Sequence, residues 1–421
     1  MTREPVVEAP LRRLFRRATF RRWAVANLFA RLPLTMNLLA LVLAGQAATG
    51  SLSAGATLAG ISTFSGGLTA QWRGRRLDQV ELRAGLRRDL LAAAAGIGAV
   101  AIAVAADAPF WTLGVLVALQ GVVAAAVLGG FRALLVRAVP PEDIEPANAI
   151  DAVFVEVAFV AGPALAGALA FAVGAVGVLM LQALAFVIAS VLVMGLEPRP
   201  PVEDPSRAGP APWRTRGATS IYLSVFFVGL PLGAFEAATP ARLEALGWDA
   251  ATAGPLLALT ALGSGIAGVF AANLRDPLRS GRIMAGVLLV MFSIAFVPAS
   301  FATTVPVLAL GLFLIGLPIA PLNALAGLAF QRIIPLPRQA EGFALFAAMI
   351  LMGAGVGQVA AGAMLQVMAP ALLLRVLSVI PLALGLVILG AATHRRLNGR
   401  PPGLGHQHDA QIIDPASYGV H

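Results

Sequence analysis

The stretch NLFARLPLTMNLLALVLAG, residues 27–45, is apolar for most of its length, yet it holds Arg31 and, two places on, Pro33. Extended back to Trp23, the run is long enough to cross a hydrocarbon core of about 30 Å as a helix. A charge inside such a helix is costly, so Arg31 calls for a partner or a task. The basic run LRRLFRRATFRRW at 11–23 gives the segment the look of a secretory leader. The apolar run is too long for one, and no small-residue cleavage motif precedes the apolar runs that follow.

Of the 421 residues, 58% are hydrophobic and only 12% charged, about half the charge content of ordinary soluble domains. The chain therefore reads as a polytopic, all-α membrane protein. There is no cysteine, which removes disulfides, thiol nucleophiles and cysteine metal sites together. His394, His406, His408 and His421 all follow the last apolar segment, and the GHQHDAQ tail resembles a metal site only superficially. With no lysine, a phosphate-binding loop of the GxxxxGK type is also missing. No enzyme activity, metal or cofactor is expected. The net charge of +9 consists of arginines in connections between apolar runs, so it reports topology and not nucleic-acid binding.

Twelve spans are predicted, near 23–45, 52–72, 87–106, 109–137, 146–172, 174–196, 218–239, 250–273, 281–301, 304–331, 340–366 and 370–393. Arginine-bearing segments such as RGRRLDQVELRAGLRR at 73–88 fall on the even-numbered connections and the termini, whereas the odd connections lack arginine apart from Arg242. By the positive-inside rule both termini are cytoplasmic. The halves repeat: GPALAGA at 162–168 returns as GQVAAGA at 357–363, and RLPL at 31–34 returns as GLPL at 229–232. The expected organisation is a basic N-terminus (1–22), a six-helix bundle (23–196), a Pro- and Arg-rich linker (197–217), a second six-helix bundle (218–393) and a tail (394–421).

Two motifs carry a family resemblance. GLTAQWRGRR at 67–76 is similar to the signature between helices two and three of the major facilitator superfamily: Gly67, Gly74, Arg75 and Arg76 fit, while Gln71 stands at the acidic position and Trp72 at the first arginine. AFVAGPALAG at 158–167 is similar to the antiporter signature of the fifth helix, with Gly162, Pro163 and Gly167 matching and Ala158 and Ala166 in place of glycines. The chain resembles the twelve-helix bacterial drug-exporter branch most. The resemblance implies the major facilitator fold, two pseudo-symmetric six-helix bundles in the bacterial inner membrane, and a monomer exchanging protons for a small molecule. Because a glutamine amide cannot form an ion pair, the cytoplasmic latch of the family is expected to be weakened at Gln71.

Within the spans, Arg31 lies about 12 Å past Trp23 and Glu156 about 13 Å past Ala147, at 1.5 Å per residue, so the two are expected to share a level and to pair. That pair either fixes the bundle permanently or works as a proton-linked switch. Glu236, toward the outer end of the seventh span, reads as a proton or cation acceptor, or as the partner of Arg242. Arg132 is expected to snorkel to the cytoplasmic headgroups, or Asp151 pairs with it or with Arg75 as a cytoplasmic gate element. Asn37, Asn323, Gln120 and Gln358 are candidate substrate contacts or interhelical bonds, and Pro318 and Pro321 predict a broken tenth helix. The function expected is proton-coupled export of a small amphipathic compound by alternating access. A lipid flippase, a non-transporting binding protein or an uptake symporter on the same fold stay open.

Overall fold

The computed structural model describes residues 10–196, 212–272, 281–334 and 338–397. Most of the linker expected at 197–217, and the tail beyond 397, lie outside the described residues. The helices are α1 (Pro10–Arg16), α2 (Ala18–Thr49), α3 (Leu52–Asp78), α4 (Leu82–Ala105), α5 (Phe110–Ala124), α6 (Val127–Ala138), α7 (Ile144–Met194), α8 (Ala218–Glu244), α9 (Ala253–Ala272), α10 (Gly281–Phe301), α11 (Val305–Gly316), α12 (Ile319–Gln331), α13 (Gln339–Met364) and α14 (Pro370–Leu397). No strand occurs among the described residues.

Among the described residues, ten helical stretches are long and apolar enough to cross a membrane. Two adjustments bring the passes to the twelve expected. α3 has the length of a span but dilutes its apolar content with hydroxyls, Gln71 and the arginines of 73–76. α7 runs for 51 residues, about twice what one crossing needs, and turns back at Gly174. There φ is 72° and ψ 171°, a backbone state open essentially to glycine alone. Elsewhere the ends follow local chemistry: Gly50 closes α2 in the left-handed conformation, and the Glu81 carboxylate accepts from the amides of Arg83 and Ala84 to start α4.

Pro33, Pro163 and Pro231 sit inside continuous helices. In α2 the turn after Pro33 gains a donor from Thr35, whose hydroxyl donates to the carbonyl of Leu32 at 3.0 Å. The tenth span does break, at residues 317–318 between α11 and α12, and the fourth breaks at 125–126 between α5 and α6. Trp23, taken as an interface marker, is buried instead: its ring stacks near Phe20 and Phe154, and its Nε1 donates to the Phe131 carbonyl at 2.8 Å. An indole with its one donor satisfied by a carbonyl can sit inside a bundle.

Twelve passes bring both ends of the chain to one face of the bundle, the near end; the opposite face is the distal end. Within the halves the broadest seams are α2 on α7 and α8 on α13, and between the halves α3 packs on α13 and α7 on α9. Exchanging the halves maps each seam onto its counterpart. Glycines let the backbones approach: a Cβ on Gly355 would stand 2.5 Å from the Phe64 amide, and one on Gly254 2.3 Å from the Pro163 carbonyl.

Candidate functional site

Asp151 of α7 gathers the charges around Arg31. Arg31 Nη2 donates to its Oδ1 at 2.8 Å, Asn27 Nδ2 donates to the same oxygen at 3.0 Å, and Arg132 Nε lies 3.6 Å from Oδ2. Asp151 is 1% exposed and Arg31 6%, whereas the Arg132 side chain is largely open. One turn of α2 separates Asn27 from Arg31, so both meet one carboxylate. Arg31 is thus paired, but with Asp151 and not with Glu156. Five residues along a helix turn the side chain by about 140°, so Asp151 and Glu156 cannot both face α2. Side chains also lean toward the helix N-terminus, which brings the guanidinium down to the level of Asp151.

Glu156 turns the other way. It is exposed, faces α9, and has its Oε2 3.5 Å from where a Cβ on Gly265 would stand. It makes no ion pair or hydrogen bond among the described residues. Glu236 of α8 is half-buried and also without such a partner. The alternative Glu236–Arg242 pair is not formed: the Arg242 guanidinium goes to the carbonyls of Ser300 and Ala302.

The uncharged candidates divide. Asn37 Nδ2 donates to Ser62 Oγ at 3.3 Å and Ser62 Oγ donates to Gln120 Oε1 at 2.8 Å, a relay joining α2, α3 and α5. Gln120 is buried, so it ties helices together and does not line an open cavity. Gln358 is buried too, with its Oε1 unbonded, and Asn323 is exposed on α12.

At the near end the motif of α3 crosses to the second half. Glu341 at the start of α13 accepts from Arg75 at 2.5 Å, from Gln71 at 3.4 Å and from Arg338 at 2.9 Å. The carboxylate absent at position 71 is therefore supplied by Glu341. Gly67 lies against Ala348 and Met352 of α13, Arg76 stacks over Trp72, and Gly74 faces open space. A second pair, Arg73 with Asp89 at 2.8 Å, joins α3 to α4. Sequence reasoning missed Glu341 and Asp89. For Glu341 the signal was an isolated acid in the first turn of a span, where the helix dipole favours it; Asp89, two turns into α4, carried no such mark. In the fifth-span motif, Gly162 abuts Thr35 of α2, while Pro163 and Gly167 abut the start of α9.

Residues 23–221 match the family model of the Major Facilitator Superfamily. The nucleoside transporter NupG superposes with a TM-score of 0.70 at 11% identity, over 88% of this chain and 99% of that one. The POT family transporter PepTSo gives 0.71 at 9% identity over 90% and 99%. A bacterial homologue of the human lysosomal transporter Spinster, inward-facing and unoccupied, gives 0.68 at 16% identity over 91% and 99%. A comparison with curated proteins by sequence finds no match. The chain has the major facilitator fold, as a multi-pass membrane protein.

Proposed function

We propose that the protein is a secondary active transporter that exports a small amphipathic compound in exchange for protons by alternating access. It acts as a monomer in a bacterial inner membrane with both termini in the cytoplasm. The observation that carries this reading is Glu156: a carboxylate within a span, without a cation partner among the described residues, facing the other half at Gly265. Intramembrane carboxylates of this kind serve as proton acceptors that alternate between two aqueous sides. Glu236 provides a second such group in the other half. Arg31 and Asp151 hold the wall behind Glu156, and the Glu341 cluster holds the near end closed between turnovers. The matched solved structures carry nucleosides, peptides and organic anions in their names, so the substrate panel should include these beside amphipathic drugs.

The test is transport in proteoliposomes with an imposed pH gradient. The wild type is expected to move a substrate against its own gradient. Glu156→Gln is expected to lose that coupling while retaining downhill counterflow. Full gradient-driven accumulation by Glu156→Gln would sink the assignment.

A further inference from the structure

Two arginines break the topological rule that organises all the others. At the distal end the described residues include only Arg242 and Arg375 as cations. They are far apart in sequence, on α8 and α14, yet one turn holds both. Arg242 donates to the carbonyls of Ser300 and Ala302, and the Arg375 guanidinium lies over the ring of Phe301, 4.1 Å from its centroid. Both guanidiniums thus reach residues 300–302, and no described carboxylate pairs with either. Of the acids on the neighbouring turns, Glu244 accepts from Gln46, Asp249 accepts from the amide of Ala251, and Glu236, six residues before Arg242 on α8, makes no bond to either arginine.

Capping the end of α10 accounts for part of Arg242, since a cation at a helix C-terminus is favourable. It does not account for the Arg242 Nε, which is buried without a hydrogen-bond acceptor in a residue only 8% exposed. Nor does it explain a second guanidinium beside the first. Arg375 is exposed, and its neighbours Phe301, Leu372 and Val376 are exposed apolar side chains on the outer face of the bundle. In a spanning protein that face meets lipid tails. Arg375 lies about 7.5 Å inside α14, and its side chain leans back toward the helix N-terminus, into the headgroup zone.

We propose that Arg242 and Arg375, gathered on residues 300–302, form a site for the phosphate of an anionic phospholipid headgroup at the distal end, with Phe301 against its acyl chain. Guanidinium groups suit phosphate oxygens, and the exposed apolar face selects a lipid over a free anion. The site does not depend on what the protein transports.

The test is native mass spectrometry of the full chain in neutral detergent, titrated with phosphatidylglycerol, phosphatidylcholine or inorganic phosphate. The wild type is expected to hold one phosphatidylglycerol that Arg375→Gln holds roughly fivefold more weakly, the effect of about one surface arginine. Arg12→Gln, which removes the same charge from the near end, is expected to hold that lipid as the wild type does. Arg375 and Phe301 are exposed, so Arg375→Gln and Phe301→Ala carry the test whether or not Arg242→Gln folds. Equal retention by wild type and Arg375→Gln would overturn the site, as would an equal loss in Arg12→Gln. Displacement of the lipid by inorganic phosphate, or equal retention of phosphatidylcholine, would overturn the headgroup assignment.

Discussion

Asp151 serves two guanidiniums and an amide, so neutralising it leaves the buried Arg31 without a counter-charge, while the largely open Arg132 stays solvated. Breaking a buried pair from one side typically costs 3–5 kcal/mol, whereas an apolar replacement of both partners is often neutral. Asp151→Asn is therefore expected to lower the free energy of unfolding by about 3 kcal/mol or more, read as a fall in the thermal midpoint in detergent. The double variant Arg31→Met with Asp151→Leu is expected to recover most of that loss. A double variant no more stable than either single one would show that the pair does not act as a unit. Glu156, exposed and unpaired, is the contrasting residue: Glu156→Gln should leave stability within about 0.5 kcal/mol while altering coupling. At this scale the sequence pointed to the right arginine and the wrong acid. Depth follows from counting residues, but azimuth depends on which way the neighbouring helix lies, and that is set only when the spans pack.

The helices themselves were legible because each apolar run must satisfy its own backbone as a helix in lipid. What escaped was detail fixed by neighbours. The break at 317–318 is announced by Pro318, whereas the break at 125–126 falls in a run of alanine and valine that holds no breaker. The seam between α3 and α13 joins residues of both halves, which no local pattern predicts. A side chain at Gly355 would push into the backbone of Phe64, so Gly355→Leu is expected to cost 1–3 kcal/mol or more as overpacking, measurable by the same thermal assay. Removing the carboxylate at the near end of that seam acts differently. With Glu341→Gln, Arg75 and Arg338 lose their shared counter-charge and one of its two acceptor oxygens, and spin labels on the near ends of α3 and α13 should report longer, broader distances. An unchanged distribution would show that glycine packing alone holds this end.

For the molecule as a whole, the two inter-half seams are the surfaces along which rocking would occur. At the distal end a Cβ on Gly362 would lie 2.3 Å from Thr57 Oγ1, and the natural chain has no cysteine. Paired substitutions Thr57→Cys and Gly362→Cys are expected to cross-link once the seam gives way to the new Cβ, which would also stand 2.6 Å from the Ser53 carbonyl. If the seam must part during turnover, oxidation stops transport and a reductant restores it. Transport that survives cross-linking would exclude separation of α3 from α13 at that end. The twofold repeat and its charge topology could be read from the sequence because both are properties of long segments. The Glu341 cluster and the distal arginine pair could not, because each joins residues from distant parts of the chain.

The two halves also differ where their repeats align. Arg31 anchors α2 to α7 through charge, and its counterpart Gly229 lets α8 press backbone to backbone on α13, where a Cβ would stand 2.4 Å from the Ile350 carbonyl. The strength of an ion pair follows the local dielectric, whereas close van der Waals contact is nearly indifferent to it. The α2–α7 seam has close packing too, at Gly162 against Thr35, so the first half carries a charge-dependent hold that the second half lacks at the aligned position. A pseudo-symmetric scaffold thus answers unequally to any change in the polarity around Arg31.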